Sequence, residues 1–165
     1  MRPYPAVLRQ PDLITKGAVT AHQFALNLSA CVCEKDCNLP TLTTIRGLDL
    51  AFRADAVVAV SERDPESGAE ITCVYGLGDS FHKISEPVDG FLSRIGLLDK
   101  FAKFTRPNGA SILICAPAVT VLTTAQEGLF GPEVKTVIIA GAFSQAVKES
   151  LHQVRAELAA HGGAL

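Results

Sequence analysis

Cys31, Cys33 and Cys37 fall within the seven-residue run Cys31-Val32-Cys33-Glu34-Lys35-Asp36-Cys37, the sharpest concentration of reactive side chains in the sequence. Three thiolates joined by His22 would offer the four N or S donors of a tetrahedral zinc ion. The spacing opposes that chemistry. Zinc sites bring two turn-like cysteine pairs, whereas this cluster needs a distant fourth ligand. Cys31 and Cys33 also point to opposite faces if a strand runs through them. Cys31, Cys33 and Cys37 are therefore read as ordinary thiols, or as disulfide or interface thiols within or between chains, with no residue assigned to a metal. The total of five cysteines is odd and argues against a fully paired secreted framework. A disulfide across a subunit contact would imply oxidising exposure at some stage. Cys73 and Cys115 sit in apolar runs and read as small buried hydrophobes.

Catalysis finds little support. Gly76-Leu77-Gly78-Asp79-Ser80 has the glycines of a phosphate loop but no following helix with a Lys-Ser/Thr pair, so a strand-to-strand turn explains it better. His82, His152 and His161 have no partners at a recognised spacing, and Asp55 and Asp79 read as turn-forming carboxylates. No catalytic residue and no cofactor is assigned. The chain reads as non-enzymatic.

The composition is apolar, with 48% hydrophobic and 19% charged residues, which excludes a disordered chain. A net charge of −2 and the absence of any Lys/Arg run argue against a nucleic-acid partner. No segment approaches the ~18 uninterrupted apolar residues of a membrane span. Met1–Pro5 lacks the apolar core of a secretory signal, so a cytoplasmic location on synthesis is expected.

The elements that must carry these residues begin with an arm, residues 1–17, marked by Pro3, Pro5 and Pro11. Phe24, Leu26, Leu28, Ala30 and Val32 then alternate with polar residues, the pattern of a strand with one buried face. Strands are predicted at 41–45, 48–53, 56–60, 71–75 and 81–84, with a turn at Asp64–Gly68. Ser85-Glu86-Pro87 predicts a capped helix start, followed by an apolar face of Val88, Phe91, Leu92 and Ile95.

The pattern then repeats. A shift of 62 lays Thr43, Gly47, Ala54, Ala56 and Val57 on Thr105, Gly109, Ala116, Ala118 and Val119, five identities in 18 positions. Chance supplies about one. A shift of 65 places Val74 and Gly76 on Ile139 and Gly141, and a shift of 63 places Ile84-Ser85-Glu86 on Val147-Lys148-Glu149. Ser150 and Gln153 predict a capping box for a last helix whose buried face is Leu151, Val154 and Leu158. The expected fold class is α+β and strand-dominated: an internally duplicated β-β-β-α unit with an extra N-terminal strand and an extended arm. Residues 1–38 form the arm and strand, 39–100 the first unit and 101–165 the second. The two units are expected to pack into one domain, face to face or through a shared sheet. The strand at 24–32 would cover an edge.

Residues 103–158 resemble the small FlbD/SwrD-type accessory proteins of bacterial flagella. The matching stretches are Phe104-Thr105-Arg106-Pro107-Asn108-Gly109 and Val147-Lys148-Glu149-Ser150-Leu151. The resemblance implies a single-copy version of this unit and carries over no site residue. Pro107 and the long Gln126–Pro132 turn depart from the pattern. The leading functional expectation is a structural or assembly protein acting through protein contacts, a homo-oligomer or a subunit of a larger assembly such as a virion. The alternatives are a regulatory or motility-accessory module, and a small metal-binding domain using Cys31, Cys33 and Cys37.

Overall fold

The computed structural model describes residues 39–62, 71–78 and 81–165. The expected arm, the strand at 24–32, the Cys31/Cys33/Cys37 cluster, the turn at 64–68, and Asp79 and Ser80 lie outside those residues. Short β-branched and apolar runs between glycine turns form ten strands among the described residues. Two α-helices complete a strand-dominated α+β fold. In residues 39–100 the elements are β1 (Thr41–Thr43), β2 (Asp49–Ala51), β3 (Ala59–Glu62), β4 (Thr72–Tyr75), β5 (His82–Ile84) and α1 (Val88–Arg94). Residues 101–165 form β6 (Phe101–Thr105), β7 (Ser111–Cys115), β8 (Val121–Thr124), β9 (Thr136–Ala140), β10 (Phe143–Val147) and α2 (Leu151–Ala160). Each half thus places five strands before its helix. A 3-10 turn follows the first hairpin in both, at Ala54–Ala56 and Ala116–Ala118.

Hydrogen bonding corresponds between the halves as closely as element order does. Thr44 N–H donates to Leu48 and Gly47 N–H to Thr44, closing the β1–β2 hairpin. Arg106 N–H to Ala110 and Gly109 N–H to Arg106 close β6–β7 in the same way. Gly47 and Gly109 both have positive φ, as that turn requires. Val57 N–H to Ala54 recurs as Val119 N–H to Ala116. The buried Thr72 hydroxyl donates to the Glu86 carbonyl, and the buried Thr136 hydroxyl donates to that of Glu149.

The registers correct one alignment. Thr72 pairs with Ile84 as Thr136 pairs with Val147, so β4 corresponds to β9 at a shift of 64, not 65. Gly76 then matches Ala140, and its need for glycine is its own. At φ +105° its missing Cβ would lie 2.3 Å from the Ala56 carbonyl oxygen. Gly141 sits instead at φ +59° in the β9–β10 turn, with open space around it. Two further expectations are corrected. Pro87, not Ser85, is the N-cap of α1, and no side chain caps it. The predicted strand at 56–60 begins only at Ala59, because the 3-10 turn takes Ala54–Ala56. The Ser150–Gln153 capping box of α2 is present as read.

All strand pairings are antiparallel, and the strands make three sheets: β1-β2, β5-β4-β3-β7-β6 and β10-β9-β8. The five-stranded sheet joins the halves through β3 and β7, where Ala59 faces Ile114 and Val60 faces Leu113. Both faces of this seam are covered. Val60, Phe101 and Cys115 enter a core with Val74, Phe91 and Leu92, while Ala59, Ala102 and Ile114 enter a second core with Ile138, Val154 and Leu158. Alternation along each strand sends adjacent residues to opposite cores. Burial of each large side chain contributes roughly 1.5–3 kcal/mol.

Gly76→Ala is expected to destabilise the protein by roughly 3 kcal/mol, from the positive φ and the overpacking against Ala56. Gly109→Ala, with open space around its Cβ position, should cost only about 1 kcal/mol. Urea unfolding of both variants checks the difference. Ser150→Ala, which removes the cap of α2, should cost about 1 kcal/mol in the same assay.

Candidate functional site

The described reactive side chains are dispersed and mostly engaged in the fold. Cys73 and Cys115 are buried on β4 and β7, as read from their apolar surroundings. Burial pushes the Cys115 thiol above its ordinary value, which disfavours the thiolate a nucleophile or ligand needs. His82 Nε2 lies 2.9 Å from the Leu77 carbonyl and holds the Gly76–Gly78 turn against β5. His161 Nδ1 lies 2.9 Å from the Asp99 carbonyl, tying the end of α2 to the link between halves. Asp55 forms an exposed ion pair with Arg53, whose hydrogen bond holds the carboxyl below its ordinary range. Among the described residues no group of three or more His, Cys, Asp or Glu is placed to hold a metal ion.

One cleft lies where the halves meet. It has a volume of about 510 Å³ and is lined by Val58, Tyr75, Gly76, Phe81, Gly141 and Phe143. Tyr75 is the centre of this region. Its ring lies 5.6 Å from Phe81 and 5.3 Å from Phe143, both in tilted geometry. Arg106 stacks 5.9 Å from the Tyr75 centroid and donates a 3.2 Å hydrogen bond to its hydroxyl. Tyr75 belongs to the first half, Arg106 and Phe143 to the second, so the cluster pins the two together. Sequence reading passed over it, because nothing in the spacing of residues 75, 106 and 143 announces their contact.

The two stretches that carry the FlbD/SwrD-type resemblance are adjacent in space. Thr105 N–H donates to Glu149 Oε1 at 2.9 Å, and Lys148 N–H donates to the Thr105 carbonyl at 3.0 Å. Glu149 thus joins the first strand of the unit to the helix entry, a structural task. No family model, curated protein or solved structure matches the chain.

The surface carries the remaining features. Among the described residues β2 pairs with β1 alone and β8 with β9 alone. Leu39, Leu48, Val121, Leu129 and Phe130 are large apolar side chains left exposed around these segments. Unpaired strand edges beside apolar side chains can recruit further strands.

Native Cys115 should react with a thiol reagent at pH 8 far more slowly than in the urea-unfolded chain. Its raised folded-state pKa also sets a pH dependence. The contribution is fully present below the ordinary value of 9.0 and is lost as pH rises through the folded pKa, because the unfolded thiol ionises first. The urea midpoint should therefore fall above pH 9, and Cys115→Ala should flatten that decline.

Proposed function

We propose that the protein is a non-enzymatic structural or assembly component, built from an internally duplicated unit and acting through protein–protein contacts. The observation that carries this reading is that β2 and β8, which correspond by a shift of 62 to β7 and β3 of the seam, each pair with one strand among the described residues and have apolar side chains exposed beside them. An edge offers a full row of main-chain donors and acceptors, and strand addition gives affinity without a built pocket. The buried thiols, the hydrogen-bonded histidines and the exposed Arg53–Asp55 pair support the same reading, since they serve the fold. A larger assembly of repeated subunits, such as a virion, is the setting such a surface suits.

The contact between Thr105, Lys148 and Glu149 favours a second reading. It brings the two stretches of the FlbD/SwrD-type resemblance together in space, which supports that reading. Under that reading the protein is a regulatory or motility-accessory module. Deletion that leaves swimming and flagellar gene expression normal would remove it.

For the assembly reading, light scattering of the full chain at high concentration, with and without reductant, is expected to give a mass above that of one chain. A strict monomer that also recovers no partner would overturn it. Loss of mass on reduction alone would assign the contact to cysteines, with Cys31, Cys33 and Cys37 the first to substitute.

A further inference from the structure

Two strands of the described residues stand at positions equivalent to the seam between the halves. Inside the chain, β3 pairs with β7 of the following half: Ala59 opposite Ile114, Val60 opposite Leu113, and Cys115 N–H donating to the Val58 carbonyl at 2.9 Å. A shift of 62 carries β3 onto β8 and β2 onto β7, as the shared turns and registers require. Among the described residues no strand takes the place beside β8 that β7 takes beside β3, and none takes the place beside β2 that β3 takes beside β7. Both positions are open among the described residues.

Side-chain exposure among the described residues differs in the same sense. Phe101 is 3% exposed because it crosses the seam into the core of the preceding half, whereas its counterpart Leu39 is 44% exposed. Ala59 is fully buried at 0% in the core of the following half, and its counterpart Val121 is 47% exposed. Main-chain groups agree. Phe52 N–H donates to Pro40 and Thr44 N–H to Leu48, so the alternate amide of Ala51 faces away from β1. Ala125 N–H donates to Lys135, and by the same alternation the Leu122 amide faces away from β9. Arg53 N–H and the Thr120 carbonyl, the counterparts of the Cys115–Val58 bond, have no partner among the described residues.

We propose that the occupant of each edge is a second copy of this chain, docked head to tail so that β8 of one copy pairs antiparallel with β2 of the next in the register of the internal seam. Val121 then lies opposite Phe52, Leu122 lies opposite Ala51, and the Thr120 carbonyl accepts from Arg53 N–H. Val121 and Leu39 become buried in the cores of their neighbours. The contact is heterologous, so it propagates into a ring or a filament. This deepens the assembly reading and rests on it.

Two exposed positions test the contact without touching either core. Ala51→Pro removes the outward amide of β2, and proline is tolerated where that amide faces solvent. Val121→Lys places a charge in the contact beside β8. Each variant, shown to be folded by circular dichroism, is expected to fall from the oligomer mass to that of one chain. An equimolar mixture should restore a dimer and nothing larger, because each variant keeps the edge the other has lost. Amide exchange on the wild-type full chain supplies a measurement independent of variants, with Ala51 and Leu122 protected in the oligomer. If wild type associates but both variants associate equally, the edge inference is overturned and the assembly reading stands. A wild-type monomer at high concentration overturns the inference. Protection of Ala51 and Leu122 in that monomer would assign the edges to another segment of the same chain, residues 24–32 being the first candidate.

Discussion

The hydrogen-bonded pairing of β3 with β7 is the constraint on which the rest of the described structure depends. Each of these strands presents alternate side chains to two different cores, so neither core is complete without the seam. Val60 and Cys115 lie on one face, Ala59 and Ile114 on the other. A slip of one residue would exchange every one of them between cores. The register is therefore held by packing on both sides at once. A unit of roughly 60 residues buries too little surface to be robust alone, and sharing a sheet lets two such units act as one body.

Buried threonines stand before each helix entry. Thr72 and Thr136 are fully enclosed, and each hydroxyl finds the main-chain carbonyl of the glutamate before its helix. An unpaired hydroxyl there would cost about 1–3 kcal/mol, which makes a threonine at both positions intelligible. Glu86 adds an ion pair to Arg94, whose guanidinium also donates to the Thr41 carbonyl and so ties α1 to β1. Glu149 instead accepts from Thr105 N–H. The two glutamates stand at corresponding places and serve the same end by different bonds. Glu149 ties its helix entry to β6 directly, and Glu86 ties its own to β1 through Arg94.

Two end strands of the described sheets, β2 and β8, stand out by their correspondence with the seam strands. The inner strands β3 and β7 need a neighbour on either side and have one. β8 and β2 sit at corresponding positions and lack theirs among the described residues. Leu39 and Val121, the counterparts of the buried Phe101 and Ala59, are exposed.

Much of the local structure was legible because it depends on near neighbours. Alternation in Leu48–Phe52 and Ile71–Tyr75 marked strands, Gly47 and Gly109 marked the same turn, and Ser150 with Gln153 marked the start of α2. The correspondence of Thr43–Val60 with Thr105–Leu122 was visible for the same reason, since hairpin and 3-10 turn both close over a few residues. Ser85 misled as a cap because Pro87 can begin a helix with its own fixed φ, without a hydroxyl. The shift of 65 misled because it matched two glycines by type. Gly76 is required by the Ala56 carbonyl, from a segment twenty residues away in sequence. Contacts of that kind were decided only by tertiary structure: which half covers which face of the shared sheet, the meeting of Tyr75, Arg106 and Phe143, and the assignment of β2 and β8 as edges. The amino-acid sequence determined many of the local elements through short-range backbone chemistry. Pairing between distant strands rests on the simultaneous burial of two faces, and that is a property of the assembled chain.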